Sequence, residues 1–198
     1  MGCSSKEENK MTRLCRLAEE YGCDKTSSIF HDYTPFYDEL LKYRQVNRVL
    51  EIGIGTMNAM MHLKTYQPGA SLRMWRDYFP SAEIVGLDND ASVMFEEDRI
   101  KTMVCDQSSE ESLKGIAASF SETFDFILDD GSHQLEHQAL TANTFIPKLL
   151  SPTGVYVIED IVWRRELYNL LPWPVEVKIF NLKRTPDDCV FVIEGSKL

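Results

Sequence analysis

From residue 47 onward the chain alternates apolar, β-rich runs with longer amphipathic ones. RVLEIGI (48–54), AEIVGLD (82–88), IKTMVCD (100–106), FDFILDD (124–130) and GVYVIED (154–160) have the composition of strands. The first, fourth and fifth are apolar enough to lie in a sheet covered on both faces. GASLRMWRDYF, SSEESLKGIAASF and LEHQALTANTFIPKLL fall between them and predict helices. In the last, Leu135, Leu140, Thr144, Phe145 and Leu149 recur near the helical period. SPTG (151–154) is expected to break that helix before the fifth strand. VEVKIFNL and DCVFVIEG, joined by KRTPD, predict a terminal antiparallel hairpin at the sheet edge. Before residue 47, MTRLCRLAEEYG and PFYDELLKYR predict helices lying against the sheet. The expectation is an α/β fold, a Rossmann-like, doubly wound and mostly parallel sheet with a C-terminal hairpin. Residues 1–10 would be a flexible tail and 11–198 a single domain, with 11–46 a helical cap.

Composition narrows the functional classes. At 198 residues the chain suits one well-buried domain. A net charge of −10 and a pI near 4.9 argue against sequence-independent nucleic-acid binding, which needs a basic surface. No apolar run approaches the roughly 20 residues of a membrane span. Cys3, Cys15, Cys23, Cys105 and Cys189 are scattered and odd in number, with no zinc-like spacing, so buried thiols in a reducing compartment are expected. MGCSSKEENK is too polar for a secretory signal, which points to a cytoplasmic protein. Gly2 and Cys3 resemble the doubly acylated start of Src-family kinases, yet Lys6 departs from that motif and a plain tail is favoured. A lipid anchor there would make the protein membrane-associated.

The candidate chemistry lies at the strand ends. Gly53 and Gly55 let the backbone approach a ligand without a Cβ in the way. Met57 and Asn58 follow, so the third glycine of a dinucleotide fingerprint is missing and a dehydrogenase is disfavoured. Asp88 ends the second strand, where a carboxylate can accept both hydroxyls of a ribose. Asp106 and Gln107 follow the third, where an adenine amino group is often read. Each acid could equally be a solvated strand-end cap. In order, they favour a nucleoside-containing cofactor. Asp130 ends the fourth strand and Glu159 and Asp160 the fifth, and neighbouring strands lie about 5 Å apart. Three such carboxylates make an oxygen-rich site suited to Mg²⁺. His133, three residues after Asp130, is positioned to take a proton. The competing reading is that Asp129, Asp130 or Ser132 caps the following helix, with Glu136 solvated and His137 a packing residue.

E-x-G-x-G followed by an acid at the second strand end resembles the class I S-adenosylmethionine-dependent methyltransferases. YGCDKTSSIFHDYTPFYDELL, VLEIGIG, GASLRMWRDYFPSAEIVGLD, FILDDGSHQLEH and YVIEDI, in this order, are similar to the metal-dependent sugar O-methyltransferases of macrolide biosynthesis. That resemblance implies the class I methyltransferase fold, with Glu51, Gly53, Gly55 and Asp88 holding S-adenosylmethionine. It also implies Asp130, Glu159 and Asp160 as Mg²⁺ ligands and His133 as the base. Tyr33, Tyr37 and His31 are candidates for lining a lid, although an aromatic helix packed on the sheet fits them too. The expected substrate is a small molecule, a sugar or other small polyol, methylated on a hydroxyl. The alternative is a non-catalytic module that keeps the S-adenosylmethionine-binding fold. An oligomer is left open.

Overall fold

The structure is a computed structural model that describes residues 11–26, 28–57, 66–171, 176–182 and 189–195. Gly2 and Cys3, and with them the acylation question, lie outside those residues. Residues 58–65, in the stretch after Gly55, lie outside them as well.

The strand-rich runs form β1 (Arg48–Ile52), β2 (Glu83–Asp88), β4 (Ile100–Val104), β5 (Phe124–Asp129) and β6 (Leu150–Ile158), which pair in parallel in the order β4-β2-β1-β5-β6. A two-residue strand, β3 (Glu96–Glu97), adds antiparallel to β4 at one edge. The predicted hairpin is β7 (Val177–Asn181) and β8 (Cys189–Glu194), with β8 antiparallel to β6 and β7 outermost. The fold is therefore the mostly parallel α/β sheet with terminal antiparallel strands that the pattern predicts.

The helices divide between the two faces. α1 (Arg13–Tyr21), α2 (Thr34–Leu41) and α3 (Ala70–Tyr78) cover one, and α4 (Glu110–Ser119), α5 (Leu135–Leu149) and α6 (Arg164–Leu170) the other. Successive strand side chains point to opposite faces. In β6, Val155 and Val157 enter the first core with Tyr37, Leu41 and Trp75, while Tyr156 and Ile158 enter the second with Ala142, Phe145 and Leu167. Fully burying such side chains contributes roughly 1.5–3 kcal/mol each.

Three departures from the sequence pattern have physical reasons. SPTG does not end the helix ahead of a new strand, because β6 already begins at Leu150 and absorbs those residues as an irregularity opposite Phe124 and Phe126. Gly154 is needed there, since a Cβ would sit 2.9 Å from the Phe124 carbonyl oxygen. α6 is too short for its period to register in sequence. β3 is too short for a pattern to register; it pairs with β4, and its Glu97 carboxylate is held by Arg73 and Arg76 of α3. Among the described residues no helix is long and apolar enough to cross a membrane.

Candidate functional site

The carboxyl ends of β1, β2, β4, β5 and β6 open into a cleft of about 470 Å³. Gly53, Gly55, Asp88, Asp106, Gln107, Asp130, His133 and Asp160 all line it, so the sequence-predicted residues converge on one place. Glu51 and Glu159 lie beneath it, fully buried.

Local backbone shapes the glycine side. Gly53 has φ +94° and Gly55 φ +80°, the left-handed region in which side chains are strained. At Gly53 a Cβ would also fall 2.0 Å from the Asp130 carbonyl oxygen. The Gly53 N–H donates to Leu87 O and the Asp130 N–H to Ile52 O, so this turn is laced to both neighbouring strands. Asp88 braces it, accepting from the Ile54 N–H at 2.9 Å and the Asp90 N–H at 3.0 Å. Asp106 accepts from the Ser108 N–H and hydroxyl, which hold its carboxyl below the usual range. Gln107 donates to Asp129 at 2.7 Å and accepts from the Ser132 N–H at 2.9 Å, so it ties the β5 loop to the cleft wall. Neither oxygen of Glu51 receives a hydrogen bond. Burial raises its pKa to about 8 against the charge of Lys25.

Long-range side-chain contacts assemble the acidic side. Lys25, 1% exposed, places Nζ 2.5 Å from both Asp130 Oδ2 and Glu159 Oε2 and 3.9 Å from Glu51 Oε1. The Tyr37 hydroxyl donates to Glu159 Oε1 at 2.5 Å, and the Tyr33 hydroxyl donates to Asp160 Oδ1. Both Glu159 oxygens thus face protein donors. Burial opposes charge on Lys25, yet Asp130, Glu159 and Glu51 together raise its pKa and keep it an ammonium. Burial likewise opposes ionisation of Asp130, but Lys25 and His133 outweigh it and the pKa falls. Glu159 goes the other way, with burial outweighing Lys25 and raising it well above the carboxylate range.

Asp130, His133 and Asp160 each offer one ligand atom, all within 4.8 Å of one another. His133 Nδ1 lies 3.8 Å from Asp160 Oδ2. His133 (φ +56°) and Asp160 (φ +52°) both occupy the left-handed region without being glycine. Such conformations cost of order 1–3 kcal/mol and tend to mark functional sites. No acid caps α5. Its N-terminal residue Gln134 makes no side-chain cap, and Ser132 Oγ bonds His137 Nδ1 at 2.9 Å. Glu136 is exposed, and His137 reaches the cleft wall.

Sequence reasoning missed Lys25 altogether, because a lysine in a polar loop reads as surface. Tyr33 and Tyr37 are both fully buried and combine the two roles considered for them. They pack on the sheet with His31 stacked on Tyr33, and their hydroxyls reach the site acids.

No family model matches the chain. Among curated proteins it is 39% identical over 162 residues to the demethylmacrocin O-methyltransferase of Streptomyces fradiae, covering 81% of this chain and 38% of that protein. It is 37% identical over 162 residues to the mycinamicin VI 2''-O-methyltransferase of Micromonospora griseorubida, with the same coverage. The chain thus spans little more than a third of the length of the curated relatives it matches. Among solved structures it resembles the MycE methyltransferase of mycinamycin biosynthesis, in complex with Mg, SAH and mycinamycin VI. There the TM-score is 0.71 at 28% identity, covering 93% of this chain and 54% of that one.

Proposed function

The chain belongs to the class I S-adenosylmethionine-dependent methyltransferases, and from that premise we propose that it methylates a hydroxyl of a sugar or other small polyol with the help of Mg²⁺. One observation carries this reading. Asp130, His133 and Asp160 gather beside a glycine-walled cleft, their ligand atoms within 4.8 Å of one another.

The residues present fit both groups. Gly53 and Gly55 clear the cleft wall for S-adenosylmethionine, and Asp88 stands where ribose hydroxyls can be accepted. Asp106 and Gln107 line the cleft where they would hold the adenine, although the Gln107 amide is already engaged on both sides. Glu51, buried beneath the cleft with neither oxygen hydrogen-bonded, is the remaining residue that the resemblance assigns to the cofactor. For the cation, Asp130 and Asp160 offer hard oxygen atoms beside the cleft, the donor type Mg²⁺ prefers. Glu159 stands behind them and has a further lone pair on each oxygen beyond those facing Lys25 and Tyr37. When bound, S-adenosylmethionine supplies the sulfonium methyl, and Mg²⁺ acidifies and orients the acceptor hydroxyl.

His133 is the base in this scheme. It takes the acceptor proton at Nε2, while Nδ1 lies 3.8 Å from Asp160 Oδ2, which orients the ring. A base so placed contributes on the order of 10²–10⁴ in rate. Holding donor and acceptor in line supplies much of the remainder.

The test is a methyl-transfer screen of sugars and nucleotide sugars with labelled cofactor, with and without Mg²⁺, alongside calorimetry of adenosylhomocysteine. The expected result is cofactor binding, with transfer to at least one sugar that chelation abolishes. No binding at millimolar adenosylhomocysteine would overturn the reading. Binding with no transfer across the screen would favour a non-catalytic module instead.

A further inference from the structure

Four carboxylates, Glu51, Asp130, Glu159 and Asp160, meet under the cleft, and three of them are 9% exposed or less. Ionised carboxylates this close repel one another unless some are protonated or a cation lies among them. Lys25 supplies it. The ammonium carries three protons and faces three of the four acids, two of them at 2.5 Å.

The loop before α2 holds Lys25 firmly. Gly22 ends α1 in the left-handed conformation and turns the chain. The Lys25 carbonyl accepts from the Tyr33 and Thr34 N–H groups at 3.0 Å, and the Asp24 carbonyl from the His31 N–H at 2.7 Å. Tyr33 and Tyr37, at and within the start of α2, add hydroxyl donors to Asp160 and Glu159. Lys25, Tyr33 and Tyr37, close together in the chain, therefore all meet the acids that end β5 and β6.

We propose that Lys25 is a resident counter-cation and positioning residue of this acidic floor. It keeps Asp130 and Glu159 assembled whether or not a divalent cation is present. By engaging Asp130 Oδ2 it fixes the orientation in which that carboxylate meets His133 and Asp160. The fold is then independent of metal, and the divalent cation enters a site that is already formed. Only this last clause rests on the Mg²⁺ reading above.

The test is a double-mutant cycle of Lys25→Met and Glu159→Gln, read by thermal unfolding of the full chain in EDTA and again in millimolar Mg²⁺. Methionine keeps the apolar stem and drops the charge. Glutamine keeps an acceptor for Tyr37 and removes an acid. In EDTA, Lys25→Met should lower the midpoint by about 10 °C, the scale of an uncompensated buried charge in a domain of this size. The double variant should recover at least half of that loss. Mg²⁺ should raise the Lys25→Met midpoint more than the wild-type one, because the vacated place among the acids welcomes a cation. If Lys25→Met fails to fold, a folded double variant with a folded Lys25→Arg supports the proposal equally.

Three results would overturn it. They are a Lys25→Met midpoint equal to wild type, strictly additive losses in the double variant, or a double variant that fails to fold. The EDTA arm uses neither cofactor nor metal. It therefore stands or falls separately from the methyl-transfer reading, which the adenosylhomocysteine titration tests.

Discussion

The two halves of the cleft are built by different means. On the β1–β2–β4 side, backbone does the shaping. Positive φ at Gly53 and Gly55 and the bonds of Asp88 to nearby N–H groups make a wall out of chain conformation. On the β5–β6 side, side chains do it, through Lys25 partners 105 and 134 residues away and two buried tyrosine hydroxyls. A backbone-built wall suits a ligand of fixed shape. An acidic floor held by removable charges suits proton and cation chemistry, where the balance of charge matters more than the outline. The two halves touch at Gly53, where there is no room for a Cβ beside the Asp130 carbonyl.

The sharpest way to separate the halves is to remove the base. His133→Ala should cut kcat by about 10²–10⁴ and leave adenosylhomocysteine affinity, by calorimetry, close to wild type. His133 is partly exposed, with a side chain 42% accessible, so its loss leaves no buried cavity. Affinity that falls in step with kcat would show that the halves are one binding unit.

Gly53→Ala should break both halves at once. The new methyl would have to displace the Asp130 backbone, at 2.0 Å from its carbonyl oxygen, and alanine must also adopt φ +94°. Strain of this kind costs on the order of 1–3 kcal/mol. A lower unfolding midpoint together with weaker adenosylhomocysteine binding is expected. Full cofactor affinity in this variant would deny that the glycine turn is set against the acidic loop.

The same contrast explains what could be read from the sequence. The parallel sheet, its terminal hairpin and the glycine turn were legible because each depends on local composition or on conformations that only certain residues adopt. The gathering of Asp130 and Asp160 was legible through topology, since adjacent parallel strands bring their carboxyl ends together. Lys25 was not, because nothing within the DKT segment distinguishes a lysine aimed into the core from one in water. Only the folded path of the chain around it, from the Gly22 turn to the bonds that its carbonyl accepts from Tyr33 and Thr34, turns it inward. The left-handed conformations of His133 and Asp160 were equally hidden, as neither is glycine.

A pH-dependent effect isolates Asp129, which belongs to both halves because it holds Gln107 of the cofactor wall and sits beside Asp130. Burial raises its pKa to about 7, partly offset by the hydrogen bonds from Gln107 and Gly131. The folded pKa lies above the unfolded value of about 3.9. The native state therefore keeps a proton that the unfolded chain has released. Its contribution to stability is complete below about pH 4 and is lost as pH rises through about 7. Asp129→Asn keeps an acceptor for Gln107 and removes the titration. Its stability advantage over wild type, by urea unfolding, should grow by on the order of 2–4 kcal/mol between pH 4 and 7 and then level off. Parallel stability curves for the two proteins would refute the assignment.

The smallest effect concerns the polar run DGSHQLEH itself, whose members look equivalent in sequence. Asp130 and His133 turn into the cleft, while Ser132 spends its hydroxyl on His137 Nδ1 and on the Gln134 N–H at 3.4 Å. Those bonds are exposed, so water can replace them, and each is worth at most about 1 kcal/mol. Ser132→Ala should therefore shift the unfolding midpoint by only a few degrees. The Ser132 N–H still donates to Gln107, so the loop keeps its path. If the hydroxyl matters only to the start of α5, kcat and its pH profile should match wild type. A displaced pH profile would mean instead that the Ser132–His137 bond carries the acidic side further along α5, and that the boundary between the two halves lies beyond His133.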